Sequence, residues 1–445
     1  MERCLLRQVR EHNGSEVTVW GKVLVVRDHG KVLFIDLADR TGSVQCVLKG
    51  DHPQFAEAQK LTPESILMVT GAVQDRSEKN RSDGDNGALE ILVSSFSQSA
   101  AAQTLPFDRD ADINIDTLFD YRPLTLRRSR EQAVFRVQMS VAQAFREYLS
   151  GEGFMEFQAP AIVGGDAEGG AEVFGVDYFD KRASLATSPQ LYKQILVGAF
   201  ERVFSVGNVF RAEKHSTSRH LNEYTSMDFE MGYITDHTDV QAMLEGCVRH
   251  IVRQVADRCK NHLTVLEASL PIVPETPFPS MKLTEAQVLL SEKYGISCEG
   301  EKDLAPEHER VLCEHAQKET GSDFIFITHY PTETRPMYTY DDADDPGYTK
   351  GFDLLFRGIE ISTGGQRIHD YSTLIEKITK KTGIADPETV FSFYLQAFRY
   401  GMPPHGGMGM GLERLTAKLC GLQNAKEASM FPRDRNRIDV KLYDE

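Results

Sequence analysis

The sequence predicts an α+β fold in which a small β-barrel precedes a larger domain of helices and strands. Three observations predict it. Five short segments within the first hundred or so residues alternate apolar and polar side chains at the period of a strand. Two later stretches, 132–150 and 239–259, carry apolar residues at helical spacing. Two strand pairs, at 202–233 and 351–367, gather charge on one face and apolar residues on the other.

The composition is that of a globular chain. Of 445 residues, 41% are apolar and 26% charged, enough for a sizeable core in two or three domains. No apolar run approaches the ~18 residues of a membrane helix, and the opening MERCLLRQVREHNGSEV is too charged for a signal peptide, so a cytoplasmic location is expected. The seven cysteines are odd in number, scattered and without a CxxC pair, which argues for reduced thiols rather than disulfides or a zinc site. A net charge of −16 argues against indiscriminate nucleic-acid binding, and the small excess of basic residues in 1–50 permits local recognition without demanding it.

In chain order, SEVTVWGKVLVV, KVLFIDLAD and GSVQCVLKG read as strands separated by tight turns, with two more at 65–73 and 88–96. Five strands of this length suit a barrel of the OB type, whose strand face commonly binds single-stranded nucleic acid; a barrel without a ligand fits the same residues. Residues 75–87 form a polar surface loop, and 101–130 reads as a hinge between a domain 1–100 and a domain 131–445. The helix over 132–150 leads into FMEFQAP, a strand stopped by Pro160. Glu168 sits in the glycine-bearing loop GGDAEGGAEVF, and SLATSPQLYKQILVGAF passes from strand to helix at Ser188 and Pro189. A small insertion at about 275–320 holds two helices, near 283–294 and 307–319, and shows no chemistry.

The stretch that organises the rest is RVFSVGNVFRAEKHSTSRHLNEYTSMDFEMGY, 202–233. Paired as a hairpin, its arms place Ser205, Gly207, Tyr224, Ser226, Asp228 and Glu230 on one side, with Phe204, Val206, Met227 and Phe229 on the other. Small residues ringed by Arg211, Glu213, Asp228 and Glu230 suit a polyanion that carries an amine; on its own, such a pair reads as a solvated surface hairpin. In GFDLLFRGIEISTGGQR a turn at Arg357–Gly358 would pair Leu355 with Glu360 and Asp353 with Ser362, aiming two carboxylates to one side with no basic partner nearby. That arrangement suits Mg²⁺ held jointly with phosphate oxygens. Near the end, Gly407, Gly409, Gly411 and Arg414 make GxGxGxxR on a strand opening into a helix; Leu412 breaks the dinucleotide fingerprint.

Taken together, FRAE (210–213) with its charged loop, the glycine run with Arg414, and the helix and strand at 132–160 resemble motifs 2, 3 and 1 of class II aminoacyl-tRNA synthetases. SPQLYKQ (188–194), RHLNEYTSMDFEM, IEISTGGQR and YGMPPHGG are most similar to the aspartyl-tRNA synthetases of the archaeal and eukaryotic type, and with the barrel the likeness spans nearly the whole chain. The resemblance implies an antiparallel catalytic sheet flanked by helices, ATP and Mg²⁺ as cofactors, L-aspartate and tRNA(Asp) as substrates, and a homodimer through motif 1. It implies Arg211 and Arg414 as catalytic, acting on the ATP phosphates, with Tyr224 stacking on adenine and Glu213, Arg219, His220, Leu221, Glu360 and Gly411 completing the ATP site. Aspartate would meet Lys193 and Arg367 through its side chain, Glu168 and Asp228 through its amine, and Ser188, Gln190 and Thr363 beside them. Asp353, Glu360 and Thr363 would hold the metal, and Phe34, Gln45 and Glu90 the anticodon bases.

Thr187 departs from the family, where many relatives have Gln. In archaeal-type relatives, enzymes selective for tRNA(Asp) share a Trp on the first barrel strands where relaxed ones have His; this chain has Leu24, which matches neither, and because leucine offers a third anticodon base no hydrogen bond and no broad stacking surface, charging of tRNA(Asn) as well is the expectation. The alternative is strict tRNA(Asp) specificity supplied by the loop 75–87. A synthetase-derived small-molecule ligase is disfavoured by the barrel residues, and an inactive paralogue by the presence of Arg211, Glu360 and Arg414.

Overall fold

A computed structural model of the chain describes residues 4–82, 86–109, 111–164, 172–214 and 217–442. The chain divides into two compact units, Met1–Ile113 and Asn114–Glu445.

The first unit is a closed barrel of β1 (Glu16–Asp28), β2 (Val32–Asp39), β3 (Gly42–Lys49), β4 (Ile66–Asp75) and β5 (Leu89–Ala100), ordered β1-β2-β3-β5-β4. Strict alternation builds it: Val19, Leu33, Ile35, Leu37, Cys46, Leu67 and Ile91 point inward and are almost wholly buried, while the residues between them face out. β1 carries a bulge between Val23 and Val25, so Leu24 is the extra residue where the strand bends.

The second unit begins with helices Ile115–Asp120 and Arg122–Thr125, inside the stretch expected to be a hinge. Asn114 caps the first by accepting from the Thr117 N–H. Its strands are β6 (Met155–Glu156), β7 (Ile162–Val163), β8 (Gly175–Tyr178), β9 (Lys181–Leu185), β10 (Arg202–Phe210), β11 (Glu223–Gly232), β12 (Ser280–Lys282), β13 (Phe324–Thr328), β14 (Gly351–Phe356), β15 (Ile359–Arg367) and β16 (His405–Gly411). Eight of them form one sheet, β12-β13-β14-β15-β16-β11-β10-β6, antiparallel at its centre and parallel only at the two outer pairs; β7, β9 and β8 make a small separate sheet.

Helices Ser129–Gly151 and His237–Arg258 cover one face of the large sheet. Val137, Val141, Phe145, Leu244, Val248 and Ile251 pack there against Phe204, Met227, Phe229, Phe352, Leu354 and Met408. The alternation that turns those strand residues toward the helices turns Asp228, Glu230, Thr363 and the β16 glycines to the opposite face. Helices Leu283–Tyr294 and Pro306–Thr320, at the positions expected for the insertion, pack onto β13 and β14 through Leu290, Leu312 and Ala316. All seven cysteines are free, and six are buried. Among the described residues no helix is long and apolar enough to cross a membrane.

Candidate active site

The site is laid out by strand register. Ser205 pairs with Asp228, Asp228 with Gly409, Gly409 with Thr363 and Thr363 with Asp353, so these residues form one row across four strand boundaries. In the next row Glu230 pairs with Gly407. A Cβ on Gly407 would fall 2.1 Å from the Phe229 carbonyl oxygen and 2.2 Å from Glu230 Oε2, so this glycine is required by the approach of the neighbouring strand. At Gly411 a Cβ would meet only Arg414 at ordinary contact distance; the space left bare there belongs to the cavity.

That cavity measures about 380 Å³. Among the residues expected to bind ATP, Arg211, Glu213, Arg219, His220, Leu221, Tyr224, Glu360, Gly411 and Arg414 all line it, as do Ser188, Gln190, Lys193, Asp228, Thr363 and Arg367 of the expected aspartate pocket. Glu168 lies outside the described residues. Arg211 lies 5.8 Å from the Tyr224 ring centroid, and Glu213 sits 3.5 Å from His220 Nε2.

The deep end is a buried charge network. Lys193 Nζ donates to Asp228 Oδ2 at 2.7 Å and to the Met408 carbonyl at 2.9 Å, and lies 3.5 Å from Glu230 Oε2. Arg367 donates through Nε to Glu230 Oε1 at 2.9 Å and through Nη2 to the Gly407 carbonyl at 2.9 Å and Gln190 Oε1 at 3.4 Å. Burial opposes the Glu230 charge, but Arg367 and Lys193 outweigh it and hold the carboxyl below its usual range. The sequence set Lys193 and Arg367 aside for an incoming carboxylate; the structure pairs both with the protein's own acids, because a fully buried ammonium or guanidinium without a counter-charge is prohibitively costly.

Behind this network, His405 Nδ1 donates to the Pro403 carbonyl at 2.9 Å, so Nε2 is the acceptor for Gln194 Nε2 at 3.0 Å. Burial pushes the His405 imidazole down to about 4 and keeps it neutral. Gln194 Oε1 in turn accepts from Gln190 Nε2 at 3.1 Å, which fixes the Gln190 amide with its oxygen toward Arg367.

At the other end the expected pair of unpartnered acids is corrected twice. A register shift between Leu354 and Leu355 pairs Asp353 with Thr363 in place of Ser362, although Leu355 does pair with Glu360 and the turn at Arg357–Gly358 forms, both residues at positive φ. Each acid also has a basic partner: Arg335 Nη2 donates to Asp353 Oδ2 at 2.7 Å, and Arg414 Nη1 stands 3.7 Å from Glu360 Oε2. Asp353 is buried and does not line the cavity; its Oδ1 accepts from Thr363 Oγ1 at 2.8 Å. Glu360 faces the cavity, and its Oε1 accepts from the same hydroxyl at 2.8 Å. Burial opposes the Glu360 charge, yet Arg414, the Thr363 hydroxyl, Arg335 and Arg211 together hold its pKa down. One ionised carboxylate with an adjacent hydroxyl fits Mg²⁺, which commonly takes one or two carboxylates and completes its shell with phosphate oxygens and water. Among the described residues no group of three or more His, Cys, Asp or Glu is arranged to hold a metal.

Three charged groups were not assigned a role from sequence. Arg335, in the stretch that follows β13, holds Asp353 and lies 3.8 Å from the Tyr330 ring centroid. Glu413, the neighbour of Arg414, accepts the Thr225 N–H with both oxygens at 3.1 Å and is pushed up to about 7 by burial. Glu309 comes from the segment read as bearing no chemistry, and its Oε2 accepts from Arg219 Nη2 at 2.9 Å. The signal available for each was only a charged residue in an apolar setting.

On the barrel, Asp36 pairs with Gln45 and Gln45 with Glu90, one outward row. Gln45 Nε2 donates to Glu90 Oε2 at 3.1 Å, and its Oε1 accepts from Arg76 at 3.0 Å and Arg27 at 3.3 Å. Phe34, half-buried on the same face, meets His29 edge to face at 5.4 Å; the core is filled by its neighbours Leu33 and Ile35.

Comparison with known proteins agrees with this geometry. Residues 114–435 match the family described as tRNA synthetases class II (D, K and N), and residues 17–98 match the OB-fold nucleic acid binding domain. The chain is 44% identical to the aspartate–tRNA(Asp/Asn) ligase of Deinococcus radiodurans over 98% of its own length and 99% of that protein. It is 38% identical to the aspartate–tRNA(Asp) ligase of Thermoplasma acidophilum, over 98% of the chain and all of that protein. Among solved structures, asparaginyl-tRNA synthetase from Pyrococcus horikoshii complexed with asparaginyl-adenylate superposes with a TM-score of 0.91 at 31% identity, covering 98% of this chain and 99% of that one. The β16 glycine strand, the Arg211 hairpin and the barrel are therefore the parts of a class II aminoacyl-tRNA synthetase of the D, K and N group, the family to which this chain belongs.

Proposed function

We propose that the chain activates L-aspartate with ATP to form aspartyl-adenylate and pyrophosphate, and then transfers the aspartyl group to the 3′ end of tRNA(Asp), accepting tRNA(Asn) as well. The observation that carries the choice of amino acid is the buried Lys193 to Asp228 pair beside Arg367 and Glu230. Aspartate brings an ammonium and a side-chain carboxylate, so it can exchange partners with that pair without changing the buried charge. Its ammonium replaces Lys193 at Asp228, and its carboxylate takes up Lys193 and Arg367. Asparagine brings the ammonium alone and would leave Lys193 short of a counter-charge, which is the penalty that selects against it. Gln190, its NH₂ group held by Gln194 and its oxygen accepting from Arg367, keeps that guanidinium oriented toward the pocket.

No side chain acts as nucleophile or general base. The substrate α-carboxylate attacks the α-phosphorus in line, its new P–O bond forming as the bond to pyrophosphate breaks. Arg211 and Arg414 stabilise the charge that grows on the phosphate oxygens, while Arg219 and His220 hold the outer phosphates and Tyr224 the purine. Glu213, Leu221 and Gly411 bound the rest of the nucleotide. Glu360 and the Thr363 hydroxyl would hold Mg²⁺, which when bound neutralises charge on the phosphates; Asp353 keeps the Thr363 hydroxyl in place from behind. Transfer follows when a terminal ribose hydroxyl of tRNA attacks the adenylate carbonyl and AMP leaves. Phe34, Gln45 and Glu90 form the surface that meets the unstacked anticodon bases.

A homodimer is part of this reading, supported by the apolar side chains exposed along motif 1, Met139 and Met155, and by Ile162 just beyond it. Pyrophosphate exchange measured with each amino acid tests the function: aspartate alone should support it, and exchange driven equally by asparagine would refute the assignment.

A further inference from the structure

We infer that Glu309 is a positioning residue for the nucleotide: from a helix outside the three motifs, it holds the Arg219 guanidinium in the cavity wall before ATP arrives. Glu309 lies in the first turn of helix Pro306–Thr320 and is 6% exposed. That helix is fixed to the sheet, since Leu312 and Ala316 are buried with Ile325, Ile327 and Leu355. Arg219 belongs to the polar connection between β10 and β11, whose base is closed where the Arg211 N–H donates to the Asn222 carbonyl. Among the described residues, Glu309 is the only side chain to which the Arg219 guanidinium donates, at 2.9 Å.

The surroundings explain why an acid is needed there. Arg219 shares this corner with Arg414 and Lys418, like charges that repel it, while Glu309 and Glu360 supply the opposing charge. Burial raises the Glu309 carboxyl and pairing with Arg219 limits the rise to about 6, so the carboxyl is mostly ionised at neutral pH. One edge of the guanidinium is used by Glu309; a planar group with five N–H donors retains others for phosphate oxygens. Glu309 thus does for the empty site what the triphosphate does for the filled one, keeping Arg219 and Arg414 together.

This inference rests on the cavity being an ATP site, and the experiment separates the two. Aspartate-dependent pyrophosphate exchange is measured on the wild type, Glu309→Gln, Arg219→Ala and the double variant, with thermal melting to confirm folding. Each single variant is expected to raise the KM for ATP about tenfold, the effect of one lost charge-assisted hydrogen bond, with kcat and the KM for aspartate within about threefold. The double variant is expected to be no worse than Arg219→Ala alone, and Glu309→Asp to recover part of the loss. An unchanged KM for ATP in Glu309→Gln, or effects that add in the double variant, would overturn the role of Glu309. Wild-type protein that shows no ATP-dependent exchange would instead refute the reading of the cavity.

Discussion

Lys193 is the residue on which the chemistry of the deep pocket turns. With its ammonium removed, Asp228 loses its ion-pair partner and Glu230 keeps Arg367 alone. Lys193→Met is expected to lower aspartate-dependent exchange by about two to four orders of magnitude, in line with the ~3–5 kcal/mol lost when one member of a buried charge pair is deleted. An exchange rate within tenfold of wild type would show that the pocket does not read charge. His405 gives the pH dependence. Its folded pKa lies near 4, below the ordinary 6.5, so the unfolded chain binds the extra proton between those values. Its stabilising contribution is complete above about pH 6.5 and is lost as pH falls through 4, a total of about 3 kcal/mol. Urea melts from pH 7 to 4 should therefore show a shallower loss of stability in His405→Asn than in wild type; parallel profiles would remove His405 as the cause.

At the scale of strands and helices, the middle of the sheet is intolerant of added volume. Gly407→Ala forces a methyl group onto the Phe229 carbonyl and the Glu230 carboxylate, and is expected to destabilise the protein by ~1–3 kcal/mol or more in urea melts. Gly411→Ala, with only ordinary contacts, should fold normally and lose nucleotide affinity instead. Elements are also where the limits of sequence reading lie. The β10 to β11 pairing follows from alternation, because period-two patterns fix which residues oppose each other once the arms face. The bulge at Ile361, opposite Leu354 and Leu355, leaves no such trace: one extra residue changes the partner of Asp353, and nothing in IEIST announces it. The counter-charges were hidden for a different reason. Arg335, Arg414 and Glu309 reach their partners from 18, 54 and 90 positions away, across contacts that only the folded sheet creates. Fifteen expected residues line one cavity because the family motifs named them, whereas their pairing with one another was not legible.

For the molecule as a whole, the choice of tRNA is the property that depends on the barrel. Leu24, half-buried at the β1 bulge, offers a third anticodon base no hydrogen bond, so selectivity there has little to draw on. Transcripts of tRNA(Asp) and tRNA(Asn) are expected to be charged with efficiencies within about tenfold, and a difference above roughly a hundredfold, near what one good contact of ~3 kcal/mol supplies, would establish strict specificity. Light scattering at micromolar concentration should return the mass of a dimer, and a monomer would refute the motif 1 interface. The β16 glycines have a consequence for handling the protein. A sheet normally covers both faces with its own side chains, yet here one face is left bare where the central strand ends at Gly411. Under the proposed function, the nucleotide would be the missing layer of the fold. Its binding should stabilise the protein as a repaired core would, by about 2.7 kcal/mol at a hundredfold excess over Kd, read as a higher melting temperature, and a cell short of ATP would hold this protein in its least durable form.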